Sequence, residues 1–335
     1  MSGKTFRAMV VTEEEDGTFS RAIKDRPLDS LGDGEVLVKV IYSSLNYKDA
    51  LSATGNKGVT KKYPHTPGVD AAGIVEESSV DTISPGSEVI VTSYDLGMNT
   101  PGGYGGYIRV PASWVVPLPK GLSLKESMIL GTAGLTAGMS VAALVEHVAP
   151  DMGRILVTGA SGGVGSLTVA ILAKLGYSVT AVSGKVSAGD FLKKLGAGEV
   201  IDRKTAAEGY DRPLLKSLWA GVVDTVGGEI LVAAIKSTQP LGVVTCCGNV
   251  ASPELPLNVF PFILRGVSLV GIDSQNCPLG HRKEVWHKLA LDWKITHLEE
   301  IGRQISLEDL GAEIGFILNG KQKGRVVVDM LGCSK

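Results

Sequence analysis

The feature that most constrains this chain of 335 residues is Val157-Thr-Gly-Ala-Ser-Gly-Gly-Val-Gly165, lying between an apolar strand candidate and a helix candidate. Arg154–Thr158 reads as a buried strand and Val164–Leu175 as a helix. Glycines at such a junction let the backbone turn tightly, approach a pyrophosphate and pack the helix against the strand. Free N–H groups at the helix N-terminus then face the anion, which makes Ser161, Gly162, Gly163 and Val164 candidate cofactor contacts. The spacing departs from G-x-G-x-x-G, with Ala160 in the first glycine slot and Gly162 and Gly165 in the others.

The turn sits inside a series. Ser178–Val182, Glu199–Asp202, Gly221–Val226, Gly242–Cys247 and Ser268–Asp273 are further short apolar strands, separated by helical patterns such as Phe191–Leu195. Strands apolar on both sides, alternating with helices, predict a parallel sheet covered on both faces. Six of them suit a doubly wound α/β dinucleotide fold. The first third is different in character. Glu35–Ile41 and Gly86–Val91 read as strands, and Pro64, Pro67, Pro85, Pro101-Gly102-Gly103 and Pro111 punctuate the region as in a barrel-like β domain. Lys125–His147 then reads as helix, with Ser123 and Glu126 at capping-box spacing. The tail holds a helix, Leu307–Leu318, and a strand, Arg325–Asp329, expected to return to the β-rich domain. The expected plan is residues 1–123 with 297–335 as one domain and 124–296 as the nucleotide-binding domain.

Which dinucleotide is indicated depends on the end of the second strand. An NAD-preferring fold places Asp or Glu there to bind the ribose diol. Here the strand runs into Ala181-Val-Ser-Gly-Lys185, with no carboxylate. Ser183 and Lys185 supply the donors and charge that a 2′-phosphate needs, and Arg203 follows the third strand where it can flank the same group. The plain alternative is that both cations are ordinary surface charges. NADPH is the expected cofactor. Cys247-Gly-Asn249 and Ile272-Asp-Ser274 end the fifth and sixth strands, at the carboxyl edge where ligands bind in open α/β sheets. Cys247 beside Cys246 at a strand end reads as buried filler rather than a nucleophile.

Composition closes off several classes. The formal net charge is −2 with no Lys/Arg run, so nucleic acid is not an expected partner. Residues 1–11 lack the pattern of a signal peptide, and no uninterrupted apolar stretch approaches the ~20 residues that span a bilayer. Cys246, Cys247, Cys277 and Cys333 fit neither a disulfide framework nor paired C-x-x-C zinc spacing, so a reducing cytoplasm is expected.

Several segments together resemble a known family. Ser44-Leu-Asn-Tyr-Lys-Asp49, Pro67-Gly-Val-Asp-Ala-Ala-Gly73, Gly131-Thr-Ala-Gly-Leu-Thr-Ala137 and the glycine turn are similar to the medium-chain dehydrogenase/reductases, in particular the zinc-free quinone oxidoreductases. Thr92-Ser-Tyr-Asp-Leu-Gly97, Ala181–Lys185 and Phe260–Ser274 resemble the narrower acryloyl-CoA reductase branch. The resemblance runs over essentially the whole chain and implies a GroES-like β-barrel domain, a Rossmann domain and a homodimer. Zinc-dependent members place a catalytic Cys where this chain has Asn46, a His where it has Val69, and a third ligand near Gly131-Thr132. Catalytic zinc needs three ligands from His, Cys or carboxylate, so no metal is expected.

The resemblance also implies site residues. It sets Asn46 and Tyr47 near the nicotinamide, Asn46 as an orienter of cofactor or substrate and Tyr47 as the proton source, with Tyr94 or a water molecule as alternatives. A tyrosine, with a reference pKa of ~10, holds a proton it can give to an enolate. Thr132 and Thr136 are expected at the helix edge facing the nicotinamide, and Arg325 at the cofactor's phosphates. For a coenzyme A thioester, Lys57, Lys61, Lys62, Arg265, Arg282 and Lys283 are candidate phosphate contacts. The leading expectation is NADPH-dependent reduction of a 2-enoyl thioester, acryloyl-CoA to propionyl-CoA. Reduction of quinones or free enones is the neighbouring reading, and a non-catalytic NADPH-binding sensor is the reading from another class.

Overall fold

A computed structural model describes residues 3–332 and divides into two compact units. The first comprises the chain up to Thr132, Gln275–Glu284 and the chain from His297 onward; the second comprises Ala133–Ser274 and Val285–Thr296. Cys333 lies outside the described residues.

The first unit opens with strands β1 (Thr5–Glu13) and β2 (Phe19–Pro27), a hairpin not anticipated from the sequence, paired antiparallel along their whole length. Then follow β3 (Val36–Ser44), helix α1 (Tyr47–Ser52), β4 (Asp70–Ser78), β5 (Glu88–Thr92), β6 (Tyr107–Val110) and β7 (Val115–Pro117). Val36, Val38, Val40, Val75, Val89, Val91 and Ile108 pack together as the core of this barrel-like sheet. Burying such β-branched side chains on a pleated surface is the local reason these segments are strands. A second cluster joins Met9, Val11, Leu45, Ala50 and Tyr104 to residues from the C-terminal segment.

Helix α2 (Leu124–Val145) carries a break at Gly131, whose φ of 54° and ψ of −155° are non-helical. Its N-terminus closes with a capping box: Ser123 donates from its backbone and hydroxyl to Glu126 Oε2, and the Glu126 N–H donates to Ser123 Oγ. By length and hydropathy α2 passes as a membrane-span candidate, contrary to the plain composition reading, but 83% of its apolar window is buried. It is a core helix.

The second unit continues with β8 (Arg154–Val157), α3 (Gly163–Lys174), β9 (Val179–Val182), α4 (Gly189–Lys194), β10 (Ala197–Ile201), α5 (Arg203–Ala207), β11 (Trp219–Asp224), α6 (Gly228–Lys236), β12 (Thr238–Cys246), α7 (Phe260–Arg265) and β13 (Ser268–Gly271). All pairings are parallel, in the order β10-β9-β8-β11-β12-β13, so the expected doubly wound six-stranded sheet is present. The strand order reverses between β8 and β11, which places the glycine turn at the crevice where such sheets bind ligands. After helix α8 (Leu279–Ala290), β14 (Gly302–Ser306), α9 (Leu310–Leu318) and β15 (Arg325–Asp329) complete the first unit, and β15 pairs antiparallel with β3, as the tail strand was expected to do.

Candidate active site

In the second unit the turn from β8 into α3 is built by glycines that tolerate no side chain. Gly159 has φ of 57°, and a Cβ there would collide with Thr225 Oγ1 and stand 2.8 Å from Val226 Cγ1. A Cβ on Gly165 would collide with the Gly159 carbonyl and lie 2.6 Å from Ala160 Cα, so this glycine lets helix and turn pack backbone to backbone. Gly162 caps α3 in extended conformation, leaving the amides of Gly163 and Val164 partly exposed at the helix N-terminus. A buried acid that sequence reading passed over organises the facing loop. Asp224, at the end of β11, accepts from Thr158 Oγ1 at 2.7 Å and from the backbone N–H groups of Val226 at 3.2 Å and Gly227 at 2.8 Å. Burial pushes its carboxyl upward in pKa. The only prior signal was an acid ending an apolar strand, where it must find donors.

Beside this turn the expected phosphate group converges. Ser183 Oγ donates to Ser161 Oγ at 3.2 Å, and Lys185 Nζ lies 3.4 Å from the same oxygen. Arg203 lies against the Gly184 backbone, where a Cβ would come within 2.5 Å of its Nε and 2.7 Å of its Cζ. Burial and then the Arg203 charge lower the Lys185 pKa. Two cations are thus held together beside an anion-binding turn, and the backbone between them has room because residue 184 is glycine. A phosphate monoester would relieve that repulsion. The residues present fit the NADPH expected here.

At the ends of the later strands, Thr136 Oγ1 donates to Ser274 Oγ at 2.7 Å, and the Ile272 N–H donates to the Cys246 carbonyl. Gly248 is required because a Cβ would collide with the Thr225 carbonyl. Cys247 donates its thiol and its N–H to the Asp224 carbonyl. Burial, with the nearby Asp224, pushes that thiol up to about 12, consistent with filler and opposed to a nucleophile.

In the first unit Asn46, Thr132 and Arg325 meet around Asp70. The Asp70 carboxylate accepts from Ser44 Oγ at 2.5 Å, Asn46 Nδ2 at 2.7 Å, Thr132 Oγ1 at 2.6 Å and the Thr132 N–H at 2.9 Å. Arg325 is only 2% exposed and donates to the carbonyls of Ile129 and Leu45, to Asn46 Oδ1 and to Ser44 Oγ, with Asp70 Oδ2 3.7 Å away. Thr132 spends both its N–H and its hydroxyl on Asp70, and Ser93 Oγ adds a contact at 2.8 Å. The Asn46 carboxamide donates to Asp70 and accepts from Arg325.

Of the two tyrosines, Tyr47 begins α1 and is 40% exposed. Tyr94 donates its hydroxyl to the Cys277 carbonyl at 3.2 Å, stacks on Trp114 at 5.3 Å, and carries the Arg282 guanidinium 4.1 Å from its ring centroid. These contacts hold the Tyr94 ring and hydroxyl in place. Arg282 is buried and donates to Thr92 O and Oγ1, and Arg265 donates to the carbonyls of Leu215, Lys236 and Thr238. Neither is available to a thioester's phosphates. Lys57 pairs with Glu13. Asp49 and Asp70 are fully buried, which sequence reading missed, although both stand inside the segments that carried the family resemblance. Asp70 lies between Val69 and Ala71, which was the available signal, whereas Asp49 follows Lys48 and had none.

Among the described residues no group of three or more His, Cys, Asp or Glu side chains is arranged to hold a metal. Residues 32–120 match the family model described as the alcohol dehydrogenase GroES-like domain, and residues 163–293 match the one described as zinc-binding dehydrogenase. The chain is 44% identical to the acrylyl-CoA reductase AcuI of Ruegeria pomeroyi, over 97% of this chain and 99% of that one. It is 43% identical to the putative quinone oxidoreductase YhfP of Bacillus subtilis, with the same coverage of both. The yhdH oxidoreductase of Salmonella enterica in complex with NADP superposes with a TM-score of 0.93 at 41% identity, covering 96% of this chain and 99% of that one. Bacillus subtilis yhfP with NAD bound gives 0.95 at 42%, covering 98% and 100%. With the β-barrel, the doubly wound sheet and the phosphate turn all in place, the chain belongs to the medium-chain dehydrogenase/reductase family.

Proposed function

We propose that this protein is an NADPH-dependent reductase of activated carbon–carbon double bonds, acting on a 2-enoyl thioester and best suited to converting acryloyl-CoA into propionyl-CoA. The observation that carries the cofactor assignment is the pairing of Lys185 and Arg203 beside Ser183 and the glycine turn. Of the relatives with solved structures at 41–42% identity, two hold NADP or NADPH and one holds NAD. The absence of a carboxylate after β9 and the two cations there favour the phosphorylated form. The substrate class follows from full-length similarity to an acrylyl-CoA reductase.

When bound, NADPH supplies the hydride for the β-carbon. The chain's part is to bind, orient and protonate. In the second unit the amides of Ser161, Gly163 and Val164 hold the pyrophosphate, Ser183, Lys185 and Arg203 the 2′-phosphate, and Thr136, Cys247, Gly248, Ile272 and Ser274 the nicotinamide half. In the first unit Tyr47 holds the proton destined for the α-carbon, as the exposed tyrosine that begins α1. The positions corresponding to metal ligands carry Asn46, Val69 and Thr132, and the polar ones are occupied by the Asp70 cluster, which supports a reaction without zinc.

The protein acts as a homodimer in the cytoplasm in this reading. Strand β13 is paired on one side only, and Leu269, Phe260, Ile263 and Leu264 are exposed on it and on α7, as suits a self-complementary edge. Cys246 and Cys247 are free thiols, in keeping with a reducing compartment. Steady-state oxidation of NADPH with acryloyl-CoA, beside 1,4-benzoquinone and a simple enone and repeated with NADH, tests the assignment. Preferential turnover of the thioester supports it. Turnover of quinones alone makes the protein a quinone reductase, and tight NADPH binding without any turnover makes it a sensor.

A further inference from the structure

Two carboxylates and one guanidinium are sealed together in the first unit. Asp49 and Asp70 are 0% exposed and Arg325 is 2% exposed. A buried ion cluster is a poor way to gain stability, since a well-packed apolar set of the same volume does as well or better. What this cluster does have is a definite geometric output. Asn46 donates one Nδ2 hydrogen to Asp70 Oδ2 at 2.7 Å and the other to Asp49 Oδ2 at 3.2 Å, while its Oδ1 accepts from Arg325 Nη1 at 3.0 Å. Rotating the amide end for end would set its NH2 group against the guanidinium and its oxygen against two carboxylates. The orientation is therefore forced.

Asn46 is also the N-cap of α1. Its backbone N–H donates to Asp49 Oδ2 at 2.8 Å, and its carbonyl accepts from the Asp49 and Ala50 N–H groups. Asp49 Oδ1 accepts from the Val69 N–H at 2.7 Å, tying the helix to the residue before β4. A helix of six residues has no stability of its own in water. Its placement depends on these ties, and its first residue is Tyr47.

We infer that Asp49, Asp70 and Arg325 are positioning residues for the proposed reaction, clamping the Asn46 carboxamide and thereby setting the first turn of α1 and the direction of Tyr47. The inference rests on the reading of Tyr47 as proton source. The charged and titratable groups facing the clamp are Asp49 from α1, Asp70 from β4, Arg325 from β15, and Tyr104, whose hydroxyl donates to the Ser44 carbonyl. Burial, and then the neighbouring Asp70, push Asp49 up to about 7, so the clamp loses a proton close to neutrality. Lysine at 325 would keep the charge but not the fork that reaches Leu45, Ser44 and Asn46 together.

The test compares full-length wild type with Arg325→Lys and Asp49→Asn. Hydrogen exchange of the peptide spanning residues 45–52 reads the clamp without requiring turnover. We expect about tenfold faster exchange there in Arg325→Lys, with the glycine turn unchanged. With acryloyl-CoA, kcat should fall by about tenfold or more while the Kd for NADPH stays within about twofold. Wild-type kcat should show a step near neutral pH that Asp49→Asn lacks. Unchanged exchange at 45–52 in both variants overturns the inference, as does a parallel loss of kcat and NADPH affinity. Wild type inert toward every acceptor, with exchange still accelerated in Arg325→Lys, would sink the proposed reaction and leave the clamp standing. Should Arg325→Lys not fold, Asn46→Ser keeps an N-cap, removes the clamped amide, and is read by the same measurements.

Discussion

Replacing Gly131 by alanine should be among the most damaging single-methyl changes in the chain. Its backbone, at φ of 54° and ψ of −155°, lies in a region that glycine alone occupies readily, so a side chain there costs about 1–3 kcal/mol. The added Cβ would also collide with Asp70 Oδ2 and stand 2.8 Å from both Arg325 Nη2 and Ser44 Oγ. Those atoms are buried and hydrogen-bonded, so none can move without cost. If Asp70 retreats, it gives up the Thr132 N–H and hydroxyl, charge-assisted bonds worth about 1.5–3 kcal/mol each. Together these amount to about 4 kcal/mol or more, against the ~5–15 kcal/mol that holds a typical domain. Urea unfolding followed by circular dichroism should show the transition assigned to the first unit moving down by roughly 1 M or more, fitted separately from that of the second unit because two-domain chains need not be two-state. Gly315→Ala is the control. That glycine is exposed in α9 with open space around its Cβ position, and alanine there should stabilise by about 0.5–1 kcal/mol. A Gly131→Ala midpoint equal to wild type would refute the reasoning, because it would mean the break in α2 and the Asp70 cluster accept a side chain.

Removing either Lys185 or Arg203 as alanine should raise the Kd for NADPH about 10- to 100-fold and leave that for NADH nearly unchanged, as loss of one charge-assisted phosphate contact requires; fluorescence titration measures both. Asp49 gives a signed pH effect. Its folded pKa lies above its ordinary 3.8, so its contribution is fully present below about pH 4 and is lost as pH rises through about 7. The buried His65 is shifted downward by burial, so its contribution runs the other way and is lost as pH falls. The stability gap between wild type and Asp49→Asn isolates the first effect: it should be wider at about pH 5 than at about pH 8 by a few kcal/mol at most, and a constant gap in urea melts would refute it. Cys247, with its thiol pushed up to about 12, should resist iodoacetamide at about pH 8 in the native protein and react at the free-thiol rate once unfolded; peptide mass analysis reads the difference.

Much of the architecture was legible along the chain. The six parallel strands, the helix after the glycine turn and the Ser123–Glu126 cap all depend on residues adjacent in sequence, and the structure places them within a few positions of where the pattern puts them. The same is true of Ser183 and Lys185, which follow one strand and meet Ser161 because neighbouring strands end together. The β1–β2 hairpin was not seen, since its second strand is polar and exposed and has no apolar face to announce it.

The residues whose surroundings were not legible along the chain have one thing in common. Asn46, Thr132, Arg325, Tyr94 and Arg282 are polar residues whose chemistry depends on what lies across the fold. Sequence by itself determined the doubly wound sheet, the phosphate turn and the kind of cofactor they favour, because periodicity, glycine placement and the charge after β9 are local properties. Only the tertiary structure decided that Arg325 meets Asp70 from a strand 255 positions away (325 − 70) and that four of its hydrogen bonds go to Ile129, Leu45, Asn46 and Ser44 beside it. Whether a charge faces solvent, a ligand or another buried charge is set by long-range packing. Desolvation then fixes what that charge can do.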